Sequence, residues 1–214
     1  MPEPLTAPAV PHPFDFIAGS LALDFANSCS GRQRPPGHDH LVTYDDLVEW
    51  GRQSGVLTTM EAAWLRREAA ASPARASSVL KKAQALRDAI WRVFSAVASR
   101  QQPTPADIGV LSDEAARVLG RSRLVRDATR YRWDRNERPD DLDALVWPVA
   151  RSAAELLVSG PLDRVRECAS ESCGWLFLDA SRNRSRRWCA MNGCGNRAKA
   201  KRHYALRKKV TRRS

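Results

Sequence analysis

No hydrophobic run in these 214 residues approaches the roughly 18–20 apolar residues that a bilayer requires, so no membrane span is expected. The first thirteen residues are rich in proline and lack both a basic start and an apolar stretch, unlike a secretory leader. They read as a disordered lead-in, and the protein is expected in the cytoplasm. The sequence has no glycine-rich phosphate loop, no nucleophile elbow, and no His-x-Glu paired with Cys-x-x-Cys as in the zinc deaminases. An enzyme is therefore not expected. The remote alternative is an enzyme with a pocket in the N-terminal domain, and perturbed acids or bases there are not visible in sequence.

Acidic charge is scarce at one end. Residues 161–214 hold 15 Lys/Arg and 4 Asp/Glu, which accounts for the whole formal charge of +11, because residues 1–160 carry 20 of each. Such asymmetry marks two parts with different work, a neutral domain and a module suited to a polyanion. Hydrophobic residues make up 43% of the chain, enough for a real core.

Capping signals organise the neutral part. Residues 14–27 alternate apolar and other residues around Gly19, which predicts a short strand, a turn, and a second strand or helix start. Residues 29–41 read as a loop. Thr43 and Asp46 have capping-box spacing and open a helix to about Gln53, and Thr58 and Glu61 open another to about Ala71. Val79, Ala83, Leu86, Ile90, Val93 and Val97 recur at steps of four and three, one face of a helix over 77–100. Thr104 caps a helix to about Leu119. Residues 121–134 favour a strand pair with Leu124, Val125, Tyr131 and Trp133 as apolar members. Leu142 to Leu157 form a last stripe, in which Pro148 kinks the helix or begins a new one. Ser159-Gly160-Pro161 is the natural boundary. The predicted class is α+β and mainly α-helical: lead-in 1–13, a helical domain with small β-hairpins over 14–160, and a separate basic module over 161–214.

Cysteine is also sparse, five in all, yet four fall within 27 residues as Cys168-x4-Cys173-x15-Cys189-x4-Cys194. Two thiol pairs joined by a hairpin-length spacer suit one tetrahedral, structural zinc ion, which makes 161–214 an expected treble-clef-like zinc finger. Around them, residues 164–168 and 174–179 read as strands, 181–185 as a turn, 186–189 as the returning paired strand, and Asn196 onward as helix to the end. Trp175, Phe177, Leu178 and Trp188 are the expected small core of a module too basic to fold well without metal. Cys29, alone, is expected to be a half-buried structural thiol.

These residues resemble a known family. Cys194-Gly195-Asn196-Arg197, with Cys168, Cys173-Gly-Trp-Leu-Phe-Leu-Asp179, Ser181 and Arg187-Trp-Cys189 before it, resembles the CGNR zinc finger. Leu23-Asp-Phe-Ala-Asn-Ser28 and Asp45-Asp-Leu-Val-Glu-Trp50 are similar to the ABATE domain that accompanies this finger in bacterial proteins. The resemblance implies a bacterial transcription regulator with a DNA-binding finger and zinc ligands at all four cysteines.

Candidate contacts to double-stranded DNA are Arg182, Asn183, Arg184, Arg186 and Arg187 on the turn, and Asn196, Arg197, Lys199, Lys201 and Arg202 on the last helix. The bland reading of these residues is a solvated charged face. RNA is the rival partner, if Trp175, Phe177, Trp188 and Tyr204 are exposed for stacking. A membrane is not expected, because the helix sets few large apolar residues opposite its charges. Asp24 and Asn27, polar within an apolar segment, either cap backbone or line a small-molecule pocket. His38-Asp39-His40 reads as a polar loop rather than a metal site, and His203 as one more phosphate-facing group. The N-terminal domain is expected to sense an effector or to form a homodimer.

Overall fold

A computed structural model describes residues 14–33, 37–135 and 141–211; the expected lead-in at 1–13 and the last three residues lie outside these. Two long antiparallel helices form the frame: α4 (Pro73–Ala98) and α5 (Pro105–Gly120). The face of α4 predicted from its periodicity is buried at Val79, Ala83, Leu86, Ile90 and Val93, and Val97 is partly buried against the same core. Against α4 pack α1 (Leu21–Ala26), α2 (Tyr44–Gln53) and α3 (Thr59–Ala71), and α6 (Trp147–Ser159) closes on α1 and α5. Four of the six residues of α1 are buried, as expected of a helix without a polar face.

The capping signals are realised. Thr43 and Thr58 each accept from the third residue of their helix, whose carboxylate returns the bond to the cap, and Thr104 accepts from the Asp107 amide. Pro148 begins α6 after a short 3-10 turn at Ala144–Val146, the helix-start position where its missing N–H costs nothing.

Three two-stranded antiparallel sheets flank the helices: β1 (Cys29–Ser30) with β2 (His38–Asp39), β3 (Ser122–Asp127) with β4 (Arg130–Arg135), and β5 (Val165–Glu167) with β6 (Leu176–Leu178). Two expectations are corrected. Residues 14–17 form no strand; the chain turns at Gly19, where φ is +77°, and enters α1 directly. Residues 186–189 do not return as a strand. The partner of β6 is β5, because the first knuckle closes tightly enough to fold 165–167 back onto 176–178. The loop expected at 29–41 carries the β1–β2 pair.

The core does not stop at residue 160. Phe177 and Leu176 are fully buried in the same apolar cluster as Phe25, Trp50, Phe94 and Trp147, with Trp175, Leu178 and Trp188 packed against it. The expected core of the finger is thus continuous with that of the helical part.

Asn27 fastens this seam. Its amide nitrogen donates to the Leu176 carbonyl at 2.9 Å and its oxygen accepts from the Leu176 amide at 2.9 Å, so one buried side chain completes β6 like another strand. The Leu178 amide also donates to the Ala18 carbonyl. Asn27→Ala orphans a buried N–H and a buried C=O, at about 1–3 kcal/mol each. Denaturant unfolding should show a loss of about 2–4 kcal/mol, and a change below about 0.5 kcal/mol would remove the clamp from this account.

Candidate metal centre and basic surface

Three turns bring the four thiols together. The first knuckle follows β5, where the Cys168 amide donates to the Trp175 carbonyl and the Cys173 amide to the Ser170 carbonyl. Gly174 takes φ +73° there, and a Cβ would press within 3.2 Å of the Arg32 side chain, so glycine suits the position twice over. The second pair lies on the stretch to Cys189 and on a π-helical turn, Met191–Gly195, which runs straight into α7 (Asn196–Thr211). Arg187 receives the Ala169 amide, which holds the returning chain beside the knuckle.

Cys168, Cys173, Cys189 and Cys194 are all buried, and their sulfurs lie within 4.8 Å of one another. A tetrahedron of Zn–S bonds about 2.3 Å long has edges of about 3.8 Å. The Cys173–Cys189 and Cys189–Cys194 sulfurs are 3.7 and 3.6 Å apart, so the donor set fits zinc. Hydrogen bonds from the Cys173 and Cys189 side chains hold the Cys168 thiol far below its usual range, and the same bonds push Cys173 and Cys189 above theirs. Four thiols this close do not ionise together unaided, whereas a divalent cation stabilises all four thiolates. The cysteines hold one structural zinc ion, and their closed shell leaves no position for a reacting water.

Groups outside the shell orient the ligands. Arg197 donates to the Cys194 sulfur at 2.9 Å, a charge-assisted bond to a metal ligand from the residue three places later. The Gly31 amide donates to the Cys173 carbonyl, so the β1–β2 loop braces the first knuckle. That loop is in turn pinned by Arg87, 3% exposed, whose guanidinium takes Asp39 at 2.5 and 2.9 Å. His38 and His40 therefore belong to a structural loop, with His40 bonded to the Ser30 hydroxyl. Cys29 is half-buried, as expected.

Asp179, read in the sequence only as part of the motif, organises the turn that follows it. It is fully buried and accepts from the Ser181 amide and hydroxyl and from the Arg186 amide. Burial works against its charge, but the Ser181 and Arg186 bonds prevail and hold the carboxyl below its usual range. It thereby shapes the 181–186 turn. An Asp two residues before a Ser is a recognisable turn signal.

The predicted nucleic-acid contacts divide into two groups. Arg182, Asn183, Arg187, Asn196, Lys199 and Arg202 are exposed, with Arg187 resting over the Trp188 ring. Arg184 pairs with Asp163 and Lys201 with Glu171, both at the surface. Arg186 instead turns inward. Its guanidinium lies 4.3 Å over the Phe177 ring and donates to the carbonyls of Ile17, Trp188 and Cys189. It is a brace between the two parts of the chain, and Arg197 is committed to the zinc shell.

Of the two readings of Asp24 and Asn27, the structure has both side chains bound to backbone rather than lining a pocket: Asn27 holds β6, and Asp24 accepts from the Ala18 amide at 2.9 Å. Burial raises the Asp24 carboxyl from its ordinary 3.8 to about 6, against the lowering effect of the Ala18 and Ile17 amides. The folded protein thus binds this proton more tightly than the unfolded chain. The group favours folding most below pH 3.8, and that contribution is lost as pH rises through about 6.

Residues 19–160 match the family model ABATE, described as "putative stress-induced transcription regulator", and residues 164–207 match the CGNR zinc finger. No curated protein matches the chain.

Elemental analysis of the purified protein should give one zinc per chain, with Cys189→Ser losing it and acidification releasing it as thiolates regain protons. Asp24→Asn should gain about 1–3 kcal/mol relative to the parent between pH 4 and 7 in unfolding experiments. A constant difference across that range would contradict the raised carboxyl.

Proposed function

Since the chain belongs to the ABATE family and ends in a CGNR zinc finger, we propose that it is a zinc-dependent regulator whose finger binds duplex DNA. The observation that carries this reading is the exposed basic surface that the zinc site organises. Among the described residues, Arg182, Lys199 and Arg202 have no acidic partner, and Arg187 is exposed over the Trp188 ring. Unneutralised arginine and lysine on a rigid turn and helix attract phosphates and release their counterions. The zinc here is a scaffold, and the reading is non-enzymatic.

Duplex is favoured over single-stranded RNA because Trp175 and Trp188 are partly buried against the core, and Phe177 is wholly so. They are poor platforms for unpaired bases, although Tyr204, 69% exposed, is free for contact.

Effector sensing has its own support. A cleft of about 470 Å³ is lined by Asp15, Ser30 and His38 from the N-terminal part and by Trp175, Asn192 and Arg197 from the finger. A molecule seated there would touch both parts, including the arginine that orients a zinc ligand.

Binding of labelled duplex by the zinc-loaded protein should weaken linearly in log affinity with log salt. Replacing Arg182, Arg187, Lys199 and Arg202 by alanine should cost about tenfold or more in affinity and lower the salt slope by about 3, with zinc content unchanged. Preferential competition by single-stranded RNA would move the reading to an RNA-associated protein. Equal binding by the fourfold variant would remove the finger as the contact surface.

A further inference from the structure

The β3–β4 hairpin carries a local charge that the balanced N-terminal part conceals. Residues 122–135 contain five arginines and two aspartates, within a 160-residue stretch whose charges cancel. Arg123, Arg126 and Arg130 are exposed. The register sets Leu124 opposite Trp133 and Arg126 opposite Tyr131, which places these four on one face. On that face Leu124 is 61% exposed, Tyr131 72% and Trp133 38%. The hairpin meets the helices through the Ser122 hydroxyl, which donates to the Val118 carbonyl, and through Arg151 over the Trp133 ring. An isolated two-stranded ribbon is marginal by itself, and an exposed face of Leu, Tyr, Trp and Arg has the make-up of a contact surface.

Its position matters as much as its composition. The finger meets the C-terminal half of α4, where the Trp91 indole donates to the Gly174 carbonyl and the Ser95 hydroxyl to Glu167. The first turn of α5 is at that same end, bound by the Arg92–Asp107 ion pair. The hairpin leaves α5 at its opposite end, beside Arg121, which with Arg75 of the first turn of α4 reaches Asp141. The length of α5, sixteen residues or about 24 Å, therefore lies between the end that faces the finger and the end that carries the hairpin.

We propose that this hairpin is a second duplex DNA contact, a basic and aromatic ribbon that engages the helix at a distance from the finger; it rests on the reading of the finger as the first. A two-stranded antiparallel ribbon has the width to enter a major groove, and its arginines reach phosphates or guanine edges. A second copy of the chain fits the surface poorly, because facing hairpins would bring arginine against arginine. A duplex touching both surfaces must exceed about 7 base pairs at about 3.4 Å per step.

The test titrates the full, zinc-loaded chain with duplexes of about 6 and about 20 base pairs, shorter and longer than that span. The combined variant Arg123→Ala, Arg126→Ala and Arg130→Ala should lose about tenfold or more on the long duplex, with a salt slope lower by about 2–3, and bind the short one as the parent does. Equal affinity of parent and hairpin variant for the long duplex would overturn the proposal. The fourfold finger variant, run alongside, separates the two readings: if it alone binds like the parent, the finger reading fails and the hairpin contact stands. Photo-cross-linking from p-benzoylphenylalanine at position 131 needs no loss of charge. It should label DNA strands, and labelling of a second copy or of another protein instead would overturn the proposal.

Discussion

Fifteen basic side chains in the last 54 residues repel one another, and this repulsion is the constraint on which the structure turns. Apolar burial within so short and polar a segment offers little to set against it. Four thiolates around one divalent cation gather the two knuckles, place negative charge at the centre of the basic segment, and fix where α7 begins. The arginines outside the site are then presented from a fixed frame, instead of from a chain expanded by its own charge. Arg197 takes part directly, because its guanidinium meets the partial negative charge left on the Cys194 sulfur.

Metal alone does not position the finger. Its small sheet has only two short strands, and β6 is completed by a side chain from α1 rather than by a third strand. Arg186 lies across the same seam, with its charge against a ring face and its donors on carbonyls from both parts. The β1–β2 loop adds a third tie, from buried Arg87 through Asp39 to the chain that braces Cys173. Loss of zinc would therefore be felt in the helical part, and, under the proposed function, a ligand in the cleft between the parts would be felt at the metal. A regulator needs coupling of this kind.

Much of the fold is written locally. Helices α2, α3 and α5 follow from Thr-x-x-acid spacing, since the cap bonds form within four residues of each other, and α4 follows from its stripe. The zinc ligands were legible because few other arrangements of four clustered cysteines make chemical sense. The partner of β6 was not legible. The returning stretch at 186–189 has a strand's composition, but the amides there answer to Asp179 and to Cys168, and only the closed knuckle shows it.

The sequence by itself determined the capped helices and the stripe of α4, the metal donor set and the basic character of the C-terminal end, because each depends on spacing along the chain. Tertiary structure decided what the individual side chains do. It turned Arg186 from a surface contact into a brace, and for Asn27 it chose a bond to backbone over a pocket and made that bond a clamp, because the partners of both lie far away in the chain. It also decided where charge is displayed. Summed over 160 residues the N-terminal part is neutral, but Asp46, Glu61 and Asp107 are engaged in helix caps and Asp39 and Asp107 in ion pairs with Arg87 and Arg92, while Arg123, Arg126 and Arg130 of one hairpin stand in solvent.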